Sequence, residues 1–186
     1  MRLASAILLA ALPAASFAAA PLFTLQSQDF TDNAFLSKTF AGNNKNSPAC
    51  TGDNISPALS WSNAPQGTKS FALLVTDPVG GKGLGVTHMV AYNIPAATTS
   101  FAQGDLTKGK GYTGGKNSPG TSNWYGPCPP VGSGMHHYNF VVIATDLPPE
   151  QLKAGLTQDV LLTQLKGHAL GAASLVGRFS NDPQEK

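Results

Sequence analysis

The run His137-Tyr138-Asn139-Phe140-Val141-Val142-Ile143-Ala144-Thr145 decides the fold class. Tyr138, Phe140, Val142 and Ala144 are two apart and share one face of an extended chain. Upstream, Ser70 to Thr76 (SFALLVT) is a second apolar, aromatic and β-branched run, ended by Asp77-Pro78. Val86 to Ile94 (VTHMVAYNI) is a third, closed by Pro95. Such continuous apolar runs predict strands central in a large sheet and buried on both faces. Leu22 to Ser27 and Ala58 to Trp61 are shorter strand candidates, and Ala169 to Phe179 is read as a final strand despite its small residues.

Between the strands the chain is rich in Gly, Pro, Asn and Ser. Residues 41–57, 79–85, 104–120 and 126–134 read as loops. Connections this long are usually functional or disordered. Here Trp124, Tyr125, Pro127, Pro129 and Pro130 punctuate them, which predicts ordered loops that build a site. One helix is expected near the C-terminus. Thr157 caps it, Leu156 and Leu161 form a hydrophobic staple, Asp159 and Lys166 complement the helix dipole, and Gly167 ends it. Leu147 to Gly155 is read as a turn or a shorter helix.

Residues 1–18 are read as a cleaved export signal: Met1-Arg2, an apolar stretch to Leu12, then Ser16-Phe17-Ala18 before the cut. That places the protein in the periplasm or outside the cell, with residues 19–186 as one domain and no membrane span after cleavage. The composition is 41% hydrophobic and 12% charged, with a formal net charge of +2. No Lys/Arg cluster provides the electrostatic footprint of a nucleic-acid binder. In an exported chain, the pair Cys50 and Cys128 is read as one disulfide, two separate buried thiols being the alternative.

Polar residues stand at strand ends beside Gly- or Pro-rich loops in three places: Asp77, His88, and Gly132-Ser133-Gly134-Met135-His136-His137-Tyr138. If the strands are neighbours, Asp77, His88 and His136 converge at one mouth. Each also has a plainer reading. His88 suits a hydrogen-bonded core position, Asp77 before Pro78 starts turns, His136 with His137 suits a surface pair, and Pro129 stiffens a loop. Gly80-Gly81-Lys82-Gly83 lacks the spacing and following helix of a phosphate loop. No cofactor motif is read.

Asn54-Ile55-Ser56-Pro57-Ala58-Leu59-Ser60-Trp61, Asp77-Pro78, His88, Tyr92-Asn93-Ile94-Pro95, Gly126-Pro127-Cys128-Pro129-Pro130 and Gly134-x-His136-x-Tyr138 occur in one order. With Gly167-His168-Ala169-Leu170 and Leu175-Val176-Gly177, this series resembles the phosphatidylethanolamine-binding protein family, in its bacterial Raf-kinase-inhibitor-like branch. The resemblance implies a mainly β fold with peripheral helices, in which a large central antiparallel sheet packs on a smaller one. It also implies a small pocket for phosphate, acetate or a phospholipid head group, lined by Asp77, His88, Pro129, His136 and Tyr138. Two positions depart from the family pattern. Asp77-Pro78-Val79-Gly80-Gly81 lacks a second acid and a second proline, and His136-His137-Tyr138 lacks a central arginine.

These residues suit an anion. Imidazole N–H and phenol O–H groups donate to its oxygens, Gly132 and Gly134 allow close backbone approach, and Trp124, Tyr125 and Tyr138 form an aromatic rim. A bound anion would favour the charged form of both histidines. Asp77 either fixes a histidine tautomer or shares a proton with the ligand. The function expected is non-enzymatic binding of a small anion, with a regulatory role. The alternatives are a secreted inhibitor of a protease or other protein partner, or a metal-assisted hydrolase using Asp77, His88 and His136.

Overall fold

The computed structural model describes residues 21–185; the export segment expected over residues 1–18 lies outside them. The strands are β1 (Thr24–Gln26), β2 (Ala34–Phe35), β3 (Leu59–Ser62), β4 (Ser70–Asp77), β5 (Val86–Pro95), β6 (Ser100–Phe101), β7 (Thr113–Gly114), β8 (His136–Thr145) and β9 (Ala169–Phe179). Helical turns are few: α1 (Gly80–Gly83), α2 (Asp105–Lys108), α3 (Gln158–Leu165) and two 3₁₀ turns. Leu147 to Gly155 contains turns and no helix. In α3 the Thr157 hydroxyl accepts from Val160 N–H, as expected, and Lys166 is its C-cap.

A six-stranded sheet has the order β2-β9-β8-β4-β5-β7 and a three-stranded sheet the order β1-β3-β6. All pairings are antiparallel except the short β2–β9 contact, which is parallel. The alternation of side chains along each central strand feeds two apolar layers. Phe71, Leu73 and Val75 of β4, with Tyr138, Phe140 and Val142 of β8, face the small sheet's Leu25, Leu59, Trp61 and Phe101. Trp61 meets Phe71 edge to face, with ring centroids 5.4 Å apart, and so joins the two sheets. On the opposite face Ala72, Leu74, Val90 and Tyr92 pack under Leu161 and Leu165 of α3.

β9 is the longest strand, at 11 residues. Its small residues make room for neighbours: a Cβ on Gly177 would lie 2.6 Å from the Leu36 side chain. Asn93 takes a left-handed backbone, φ 53°, that its short amide tolerates. Its side chain then donates to Leu152 O at 2.8 Å and ties the loop before α3 to the sheet.

The register fixes which chain ends meet. Asp77 pairs with Val86 at the start of β5, and Thr76 pairs with Asn139 near the start of β8. The C-terminal end of β4 therefore lies beside the N-terminal ends of β5 and β8, and all the polar strand-end residues fall at one end of the large sheet.

Candidate functional site

Asp77 is the last residue of β4 and is 3% exposed. Its Oδ1 accepts from Val79 N–H and Gly80 N–H, both at 3.0 Å, so the carboxylate shapes its own turn. Gly80 is required there, because a Cβ would lie 2.8 Å from Asp77 Oδ2 and 2.7 Å from Val86. The further acid and proline of the family pattern are here Val79 and Gly81, on either side of that glycine.

Asp77 Oδ2 accepts from His136 Nδ1–H at 2.6 Å. Both side chains are buried. This contact has the geometry of one of the two roles expected for Asp77, fixing a histidine tautomer. On the other side of the ring, His136 Nε2 lies 3.1 Å from Ser133 Oγ. Residue 137 is exposed on the opposite strand face, so the missing arginine takes no charge from the cavity.

His88 is 2% exposed. Its Nδ1–H donates to Tyr125 O at 2.6 Å, which leaves Nε2 as the proton-free edge of a neutral ring. That Nε2 is buried without a hydrogen-bond partner among the described residues. Tyr125 stacks on the ring at 5.3 Å and Tyr138 meets it edge-on at 5.0 Å. Burial pushes the His88 pKa down to about 4, against smaller opposing effects of the Tyr125 carbonyl and Asp77. The expectation that His88 is a ready donor is thus corrected, since its one proton is committed to Tyr125. Burial also pushes the Tyr138 phenol above its usual range, with Asp77 adding to the shift.

The lowered His88 value carries a stability consequence. The unfolded ring takes up a proton below pH 6.5 that the folded ring refuses until about pH 4, so acid favours unfolding across that window. Each pH unit there costs about 1.4 kcal/mol, for a loss of about 3 kcal/mol between pH 7 and 4. Urea titrations at several pH values should show the slope of stability against pH fall by about one proton in His88→Gln.

Asp77, His88, Pro129, His136 and Tyr138 all line one half-open hollow of about 90 Å³, together with Tyr125, Cys128 and Pro130. This volume is well below the ~300–1,000 Å³ of drug-sized sites. A wider open groove of about 460 Å³ adjoins it through Asp77 and Val86. Trp124 is not part of any rim. It is buried, stacked on Phe140 at 5.9 Å, and its indole N–H donates to Phe40 O.

The expected disulfide and two residues that no motif flagged, Asn181 and Asp182, hold the hollow's wall. Cys50 and Cys128 form a disulfide, and Asn181 Nδ2 donates to Ala49 O at 2.8 Å and Pro129 O at 2.7 Å beside it. Asp182 accepts from Gly132 N–H and Gly134 N–H, which draws its pKa down and places Ser133 under His136. Gly132 and Gly134, at φ 85° and 75°, supply the backbone for that clamp and have no N–H left for an anion. The only signal for these residues was Asn181-Asp182-Pro183 as turn chemistry.

Residues 26–180 match the family model described as phosphatidylethanolamine-binding protein. A UPF0098 protein of Methanothermobacter thermautotrophicus is 38% identical over 133 residues, covering 70% of this chain and 85% of the relative. A Mycobacterium tuberculosis protein named as a lipoprotein, LppC, is 37% identical over 166 residues, covering 87% of this chain and 74% of the relative. The crystal structure of Escherichia coli YbcL, titled a new member of the mammalian PEBP family, superposes with a TM-score of 0.77 at 28% identity. It covers 85% of this chain and 98% of YbcL.

Proposed function

The chain belongs to the phosphatidylethanolamine-binding protein family, and from that membership we propose that it is an exported, non-enzymatic receptor for a small anion, phosphate or a phosphorylated head group, bound in the hollow at the sheet end. The observation that carries this reading is the convergence of Asp77, His88, Pro129, His136 and Tyr138 on one cavity of head-group size. Burial keeps the Tyr138 phenol protonated over the physiological range, so it serves as a permanent donor to an anion oxygen. The disulfide supports an oxidising compartment, in keeping with export, and the lipoprotein name of one relative points the same way. Among the described residues no helix is long and apolar enough to cross a membrane.

The chain Asp77–His136–Ser133 has the order of a hydrolytic triad, and its details argue against turnover. Ser133 Oγ–H donates to Pro130 O at 2.6 Å, closer than its 3.1 Å contact with His136 Nε2. The flanking Gly132 and Gly134 N–H groups, which could have formed an oxyanion hole, are both engaged by Asp182.

Calorimetry with inorganic phosphate and phosphoethanolamine tests the proposal. Both should bind at a 1:1 ratio, and Tyr138→Phe should weaken binding about tenfold while the fold is kept, a loss of about 1.4 kcal/mol for one hydrogen bond to a charged group. Equal binding by Tyr138→Phe, or none by the parent protein, would refute it.

A further inference from the structure

We infer that the hollow recognises its anion together with a proton: the ligand must present an acidic O–H to the bare Nε2 of His88, so a phosphomonoester is preferred over a proton-free phosphodiester. This rests on the anion-receptor reading above and narrows its ligand class.

A carbonyl oxygen only accepts, so the 2.6 Å contact with Tyr125 O places the His88 proton on Nδ1. The opposite ring nitrogen is then a lone pair with no partner, in a ring that walls the cavity. A buried acceptor left unpaired is costly, and a ligand that brings a donor relieves that cost. An oxygen with only lone pairs would instead face another lone pair.

Charge leads to the same conclusion. The groups around His88 are Asp77 from β4, His136 and Tyr138 from β8, and Tyr125 from the loop before β8. With Asp77 ionised, the Asp77–His136 pair sums to zero or minus one, never to a positive charge, and both tyrosines are neutral. Neutral His88 adds none. A dianion in this cavity would have no compensating cation, whereas a protonated phosphomonoester carries one negative charge and supplies the donor. The proton is conserved in either arrangement: it remains on the phosphate oxygen and is donated to Nε2, or it moves to Nε2 and is donated back. One proton enters with each ligand.

Methyl phosphate and dimethyl phosphate separate the possibilities, titrated calorimetrically into the purified protein between pH 5 and 8. A phosphomonoester loses its second proton near pH ~6. Methyl phosphate should therefore bind with nearly constant affinity up to about pH 6 and lose about tenfold per pH unit above it. Dimethyl phosphate has the same single charge and no O–H, and should bind at least tenfold more weakly at pH 5. It also has no titration of its own, so its profile isolates any contribution from His136 or Asp77. In buffers of different ionisation enthalpy, methyl phosphate at pH 8 should take up about one proton per ligand. His88→Gln should flatten the preference between the two esters. Equal affinity of the esters, or a methyl phosphate profile no steeper than that of dimethyl phosphate, would overturn the inference and leave the anion receptor standing. Failure of both esters to bind at any pH would overturn both.

Discussion

Replacing Cys50 and Cys128 together by serine is expected to lower the unfolding free energy by about 4.5 kcal/mol. The bridge joins residues 78 apart in sequence, and in the chain-entropy account a cross-link over a loop of that length restricts the unfolded chain by about that amount. For a chain of this size the melting temperature should fall by about 9–18 °C. The local effect is distinct from the global one. The bridge fastens the loop before β3 to the Pro-rich loop before β8, and Cys128 itself lines the hollow. The backbone bond from Gly42 N–H to Pro127 O and the side-chain bonds from Asn181 Nδ2 to Ala49 O and Pro129 O remain without it. The two loops should therefore stay neighbours in the native state, with phosphate affinity reduced and not abolished. Guanidinium unfolding of the double-serine protein checks this, and a loss below 1 kcal/mol would show that the two loops are held by hydrogen bonds alone.

Asp77→Asn should destabilise the protein by about 3–5 kcal/mol and remove phosphate binding. The substituted amide keeps an oxygen for the Val79 and Gly80 N–H groups, so the turn survives. What it loses is the second carboxylate oxygen, which accepts from His136 Nδ1–H in a buried setting, and removing one partner of a buried pair leaves the other uncompensated. The molecule carries its own control. His168 Nδ1 meets Asp146 Oδ1 at 2.8 Å with both side chains nearly half exposed. Asp146→Asn makes the same chemical change at nearly the same distance, and at an exposed pair should cost less than about 1 kcal/mol. Equal effects of the two substitutions in urea unfolding would mean that burial is not what gives the Asp77–His136 pair its weight.

The strands that form the site were legible because their signal is strong. Runs such as SFALLVT and HYNFVVIAT are long enough for a period of two to show, and the structure extends them by a residue at most. Strands β2, β6 and β7 have two residues each, too few for any period, and exist because longer neighbours template them. Gly177 and the small residues around it gave β9 a weak pattern for a reason visible only in three dimensions, the Leu36 side chain packed where a Cβ would be. Ordered motifs single out Asp77, His88, Pro129, His136 and Tyr138, and these residues line one hollow. The tautomer of His88 could not be read that way, because it depends on the Tyr125 carbonyl, far off in sequence. Trp124 was misread as a rim residue, since a tryptophan in a Gly/Pro-rich loop looks exposed until the space under Phe140 is known. Asn181 and Asp182 act through loops about 50 residues upstream in the chain, a distance that local turn chemistry does not report.

The hollow's role as an anion receptor is tested most directly by the ring ¹⁵N and ¹H resonances of the four histidines during titration with inorganic phosphate. The account predicts that His88 and His136 move together to a common saturation point while His137 and His168, which do not line the cavity, stay fixed. Saturating phosphate that leaves His88 and His136 unmoved, or that shifts only His137 and His168, would contradict it.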